Sequence, residues 1–170
     1  MATQGKKRNL GAQGGLKQEK ETPVKVSEVV RDERTHKISG FALLIFSILL
    51  FMALVSYCFT WKQDQDKVFA AGANFLFAEN LPVDNLLGRL GAWTGHQLIY
   101  NGFGLAAFLL CTFPFVLGVN LIFGKPIFSL WRNLKYVVTG IVFFSVALAY
   151  ALPGTDFSYG GAVGEFSSQY

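Results

Sequence analysis

The stretch Asn85–Phe123, NLLGRLGAWTGHQLIYNGFGLAAFLLCTFPFVLGVNLIF, decides the fold. Its second part, Gly102 to Phe123, runs for 22 residues with only Thr112 and Asn120 as polar interruptions. Helical at 1.5 Å per residue, it covers about 33 Å, enough for the roughly 30 Å hydrocarbon core of a bilayer. A helix apolar on every face has no side to offer to water. The first part, Asn85 to Asn101, is glycine-punctuated and only mildly amphipathic. It reads as a short interfacial or re-entrant helix, about 85–100, with Asn85 or Asp84 as its N-cap. Asn101-Gly102 marks a turn or kink before the span.

Two further spans lie on either side. Lys37 and Lys62 bracket 24 uncharged residues, Ile38–Trp61, with Tyr57 and Trp61 as an aromatic collar. Another span runs from about Leu134 to Leu152, flanked by Trp131 and Tyr136 and ended by Pro153-Gly154. Pro114 should bend the middle span, a defect that neighbouring helices absorb, and Gly124-Lys125-Pro126 closes it. A chain of 170 residues, much of it polar tail, is too short to wrap three such helices in soluble structure. Its composition, 52% hydrophobic and 15% aromatic, agrees with that. The fold class is therefore an all-α membrane protein: three transmembrane helices (38–61, 102–123 and 134–152) plus the short helix, within a domain 38–166.

Charge is segregated along the chain. Residues 1–37 carry nine Lys or Arg and five acids without apolar periodicity, which reads as a disordered basic cytoplasmic tail. Lys62–Asp84 has four acids against two bases and reads as a solvated loop, with Phe69–Ala78 as a short surface helix. Lys125, Arg132 and Lys135 make the next connection basic, whereas Thr155–Tyr170 has Asp156 and Glu165 and no base. Basic flanks stay in the cytoplasm, so the N-terminus is expected inside and the C-terminal tail outside. The run Gly160–Gly164 reads as the start of another helix or a tight turn, and 167–170 as a truncated tail.

Chemistry-bearing constellations are sparse. Cys58 and Cys111 sit in apolar runs outside any CxxC or Cys/His spacing and read as small apolar fillers. Asp64 and Asp66 lie beside Lys62 and Lys67 with no third ligand and read as solvated. Arg89 and His96 share a helical face; as interfacial groups they would snorkel, the alternative being a buried ion or proton site. Ser145 reads as an isolated packing hydroxyl. A phosphate loop needs Gly-x4-Gly-Lys-Ser/Thr, but Val119 and Pro126 stand at its required positions around Gly124-Lys125. No catalytic residue, cofactor or metal site is expected. Gly88, Gly91 and Gly95, at spacings of three and four, are helix-packing candidates, together with Gly104 and Gly118. Trp61, Trp93, Trp131 and Arg89 are the expected interfacial anchors.

Several short segments then fall in a familiar order. They are Phe59-Thr60-Trp61-Lys62-Gln63-Asp64-Gln65, Asn85-Leu86-Leu87-Gly88-Arg89-Leu90-Gly91-Ala92-Trp93, and Phe103-Gly104. An apolar run with a proline, Gly118, Leu130-Trp131-Arg132 and Gly160-Gly161-Ala162-Val163-Gly164 follow. Over about Lys37–Phe166 the chain resembles the N-terminal membrane domain of the FtsK/SpoIIIE family of bacterial DNA translocases. The resemblance implies a four-span inner-membrane anchor at the division septum that oligomerises and contacts other cell-division membrane proteins. DNA would be reached only through a motor that this chain lacks. The chain stops where the fourth span is expected, which reads as a fragment or a truncated open reading frame.

The leading functional reading is thus a non-enzymatic anchor and assembly module for cell division and chromosome segregation. A small transporter or channel subunit is the alternative, although no span carries a charge near its middle. An intramembrane enzyme would need a Ser–His pair, a carboxylate pair or an H-E-x-x-H helix in the bilayer, and none is present.

Overall fold

The computed structural model describes residues 33–77 and 82–168. The tail expected to be disordered, 1–37, lies outside them except for its last five residues. Those five, Glu33–Lys37, form the first turn of a helix and are joined by an ion pair of 2.7 Å.

That helix, α1 (Glu33–Ala71), has 39 residues and a length of about 58 Å. It continues ten residues past Trp61 because Lys62–Ala71 contains no glycine or proline and is rich in Lys, Gln and Ala. Gly72, at φ +53, ends it. The buried positions Gly40, Ser47 and Leu54 recur every seven residues, joined by Ala53, Tyr57, Asp64 and Val68. A 3-10 turn, Gly72–Leu76, then folds the chain back. Its Phe75 is fully buried against Val68 and Ala92, so this segment is a packed return and not the surface helix expected over Phe69–Ala78.

The short helix α2 (Gly88–Gly95) runs directly into a π-helical stretch, His96–Phe103. Gly102, at φ −108 and ψ −115, breaks the helix where the kink is expected. The chain restarts at Gly104 as a 3-10 stretch, Gly104–Cys111, and relaxes into α3 (Thr112–Phe123). Pro114 lies in the first turn of α3, where 3-10 pairing gives way to α pairing and its missing N–H does least harm. Gly124 closes α3 in the left-handed conformation.

Helix α4 (Leu130–Ala151) begins four residues earlier than expected, because Ser129 caps it by accepting from the Arg132 N–H at 3.4 Å. Its buried face is Val137, Ile141, Ser145 and Ala149, every fourth residue. The glycine run opens a helix, α5 (Gly161–Ser168). Among the described residues three segments are long and apolar enough to cross a membrane, Glu33–Ala70, Gly88–Phe123 and Leu130–Ala151, with mean hydropathies of 2.7, 2.2 and 1.8. The chain is an all-helical membrane protein.

Candidate functional site

Two clusters of hydrogen-bonded and close-packed backbone lie toward the Lys62 side of the helices. The first is a turn docked on the side of α1. Backbone N–H groups in a turn before a helix have no helical or strand ladder to join and must find partners elsewhere. Here α1 supplies most of them. The Asp64 carboxylate accepts from the N–H of Asp84 (2.9 Å) and of Asn85 (3.0 Å). Ser56 Oγ accepts from the Leu86 N–H at 2.8 Å, and Asn85 Oδ1 accepts from the Leu87 N–H at 3.0 Å. Asn85 Nδ2 then donates to the Ala53 carbonyl at 3.1 Å. Ala53 lies nine residues before Lys62, so the turn reaches about 13 Å inward along α1.

The expectation of a solvated Asp64 is therefore corrected. Asp64 is fully buried, because desolvating its carboxylate is offset by two charge-assisted hydrogen bonds. Neither Asp84 nor Asn85 is the N-cap in the usual sense; Leu87 holds that place without a side-chain bond.

His96 is also corrected. It is 2% exposed, stacked on Tyr100 (5.1 Å between ring centres) and edge-on to Phe69 (4.8 Å). The Tyr57 hydroxyl lies 3.0 Å from its Nδ1. It belongs to the interior and not to the headgroups, whereas Arg89, on the same face, is half-buried.

The second cluster joins the start of the middle span to α4 and α5 through bare backbone. A methyl group at Gly104 would overlap the Tyr159 carbonyl, and one at Gly161 would overlap the Gly104 nitrogen and the Gly102 carbonyl. At Gly160 it would lie 2.6 Å from the Ser145 carbonyl. Gly164 faces that same carbonyl. The Leu105 N–H donates to Tyr159 O at 2.9 Å, and Ser145 Oγ donates to Gly160 O at 2.5 Å. Ser145 is thus a packing residue whose hydroxyl ties α4 to the turn before α5. Ser158 Oγ donates to Glu165 at 2.5 Å and tightens that turn.

The remaining candidates fall in different places. Gly118 and Gly40 bring α3 and α1 together; a methyl group on either would stand 2.8 Å from the other's carbonyl. Below them in the same seam Ser47 Oγ donates to Cys111 O at 2.7 Å. Gly95 lies against Tyr57, where a methyl group would be 2.5 Å from its Cβ. Gly91 packs on its own docked turn, against Asn85 and Leu87. Gly88 has nothing within 4 Å of where a methyl group would be; its φ of +61 serves the turn. Trp61 is half-buried on Phe157 (5.5 Å between ring centres) and Trp93 packs beside Val68, Phe75 and Ala92. Trp131 is 67% exposed. Gly40, Gly160, Gly161, Gly164 and Asp64 escape the candidate set. The seven-residue spacing of Gly40, Ser47 and Leu54 on α1 carries the signal for the first of them.

No curated protein and no solved structure matches the chain. A family model does: the 4TM region of DNA translocase FtsK/SpoIIIE, over residues 32–170. The chain belongs to this family. The FtsK/SpoIIIE match spans both clusters described above, and the matched region is the membrane part of those translocases and not their motor. As a multi-pass membrane segment of this family, it places the chain among membrane anchor regions of DNA translocases.

Proposed function

We propose that this chain anchors a DNA translocase in the bacterial inner membrane at the division septum and serves as its assembly module in chromosome segregation. The observation that carries the reading is the FtsK/SpoIIIE match over residues 32–170, laid on three spans whose buried polar groups join one segment to another. Ser47, Asp64, Asn85, His96 and Ser145 each bond across segments, which favours a rigid scaffold over a polar path through the bilayer. The outward faces of α1 and α4, with Phe41, Phe46, Phe51, Phe143 and Phe144 exposed, supply apolar area for lipid, for a second copy or for other division proteins. The charge pattern supports a cytoplasmic N-terminus: nine bases precede Ile38, and Lys125, Arg132 and Lys135 follow the second span.

A fluorescent fusion to the N-terminus, expressed at native level, tests the placement. Septal bands in dividing cells are expected, and a uniform membrane signal overturns the septal reading. Co-purification of two differently tagged copies from mild detergent tests assembly; recovery of one tag alone overturns self-association.

A further inference from the structure

On the Lys62 side of the membrane α1 meets the turn that follows α4: Lys62 Nζ and Asp156 Oδ2 are 3.5 Å apart. On the Lys37 side the start of α4 is not level with the start of the uncharged stretch of α1. Ser47 Oγ donates to the Cys111 carbonyl, and the next residue, Thr112, accepts through Oγ1 from Asn133 Nδ2 at 3.3 Å. Asn133, near the start of α4, is therefore level with Ser47. Ser47 lies ten residues, about 15 Å, inside Lys37. The bases flanking Asn133, Arg132 and Lys135, are set that much deeper than Lys37. The 24 uncharged residues of α1 cover about 36 Å, so tilt or overshoot absorbs only about 6 Å of the difference against a 30 Å core.

These bases are exposed and have no acid to meet within the bilayer. No Asp or Glu occurs between Glu33 and Asp64, or from Gly102 to Thr155. Lys135 lies 5.5 Å from the centre of the Trp131 ring, and Trp131 and Tyr136 are 67% and 69% exposed. Arg132, Lys135, Val138 and Val142 follow one another at spacings of three and four along a single exposed face. That face is charged at its start and apolar beyond, the distribution of a phospholipid.

We propose that this recessed face binds an anionic phospholipid of the leaflet at the Lys37 end. Its phosphate lies between Arg132 and Lys135, its headgroup beside Trp131 and Tyr136, and its acyl chain along Val138 and Val142. Side chains on a helix lean toward its N-terminus, so both bases reach toward that surface and draw the headgroup in locally. Charge complementarity selects the lipid: a zwitterionic headgroup carries its own ammonium and leaves the two bases less well balanced.

Native mass spectrometry of the full chain from nanodiscs of equimolar phosphatidylglycerol and phosphatidylcholine tests this. About threefold or greater enrichment of bound phosphatidylglycerol is expected, with R132Q/K135Q returning the ratio to near one. R132K/K135R should keep the preference, and K37Q, at the ordinary surface, should leave it unchanged. Equal retention of both lipids by the unmodified chain overturns the proposal, as does enrichment that survives R132Q/K135Q. A W61F/W93F protein, in which Trp131 alone emits, gives a second measurement. Its emission should be quenched more by brominated phosphatidylglycerol than by brominated phosphatidylcholine. Emission quenched by neither lipid would mean that a second copy covers the face, and would also overturn the proposal.

Discussion

The carboxylate of Asp64 accepts the backbone N–H of Asn85 at 3.0 Å, across 21 residues and between α1 and the turn before α2. With the Asp84 N–H on its other oxygen, this one side chain satisfies two amides of the turn that leads into α2. Hydrogen bonds to charged groups contribute about 1.5–3 kcal/mol each, and loss of the carboxylate leaves both amides unpaired in an apolar setting. Asp64→Ala should therefore destabilise the fold by about 3 kcal/mol or more in reversible unfolding from micelles. Stability equal to the parent would mean that the docked turn is held by something else.

Gly104 and Gly124 share a positive φ, +61 and +62, but differ in ψ, −142 against +15, and in their surroundings. A methyl group at Gly104 meets the Tyr159 carbonyl, whereas at Gly124 there is nothing within 4 Å. Gly124→Ala should cost only the left-handed conformation, about 1–2 kcal/mol. Gly104→Ala should cost several kcal/mol more, since its φ/ψ pair is open almost only to glycine and backbone from two segments must also part. Thermal unfolding of the two variants side by side checks the order, and equal melting temperatures would refute the close approach.

Tyr57 and His96 should behave as a pair. Tyr57→Phe removes the hydroxyl from His96 Nδ1 and leaves a buried polar nitrogen, at a cost of about 1–3 kcal/mol. In the His96→Phe background the same change should cost much less, because no partner remains to be orphaned. A double-mutant cycle measures the difference, and additivity would show that the two side chains are energetically independent.

The ion pair between Lys62 and Asp156 should matter little for stability. Its side chains are 64% and 84% exposed, so solvent screens the attraction. Asp156→Asn should change unfolding free energy by less than about 1 kcal/mol, against the larger loss at Asp64. A loss as large as that of Asp64→Ala would show that this junction is closed off from water.

The spans were legible in the sequence because crossing a bilayer is a demand on length and polarity, and both are local. Gly102 to Phe123 meets that demand by itself. The break at Gly102 and the stop at Gly124 were equally readable, since each depends on a glycine and its immediate neighbours. Asp64 was not, because its role depends on amides 20 and 21 residues away. By itself it looks like any acid in a polar loop. His96 was misplaced for the same reason: its rings and hydroxyl come from α1 and from the next helical turn. Among the glycines, spacing alone could not separate Gly95, which touches Tyr57, from Gly88, which stands in open space. Gly160, Gly161 and Gly164 gain meaning only once Ser145 and Gly104 are brought beside them.

The turn at Asp84–Leu87 also constrains how the chain is made. Three of its four amides bond to side chains of α1, and the fourth to Asn85, which is itself anchored on Ala53. The segment thus has little reason to leave the aqueous exit of the insertion machinery until α1 is already seated in lipid. Biogenesis should follow the order of synthesis, with α1 as a template on which the next hairpin is laid. A lesion at Ser56 or Asp64 would then appear first as a failure of insertion, and surveillance proteases would meet it before any loss of function could be seen.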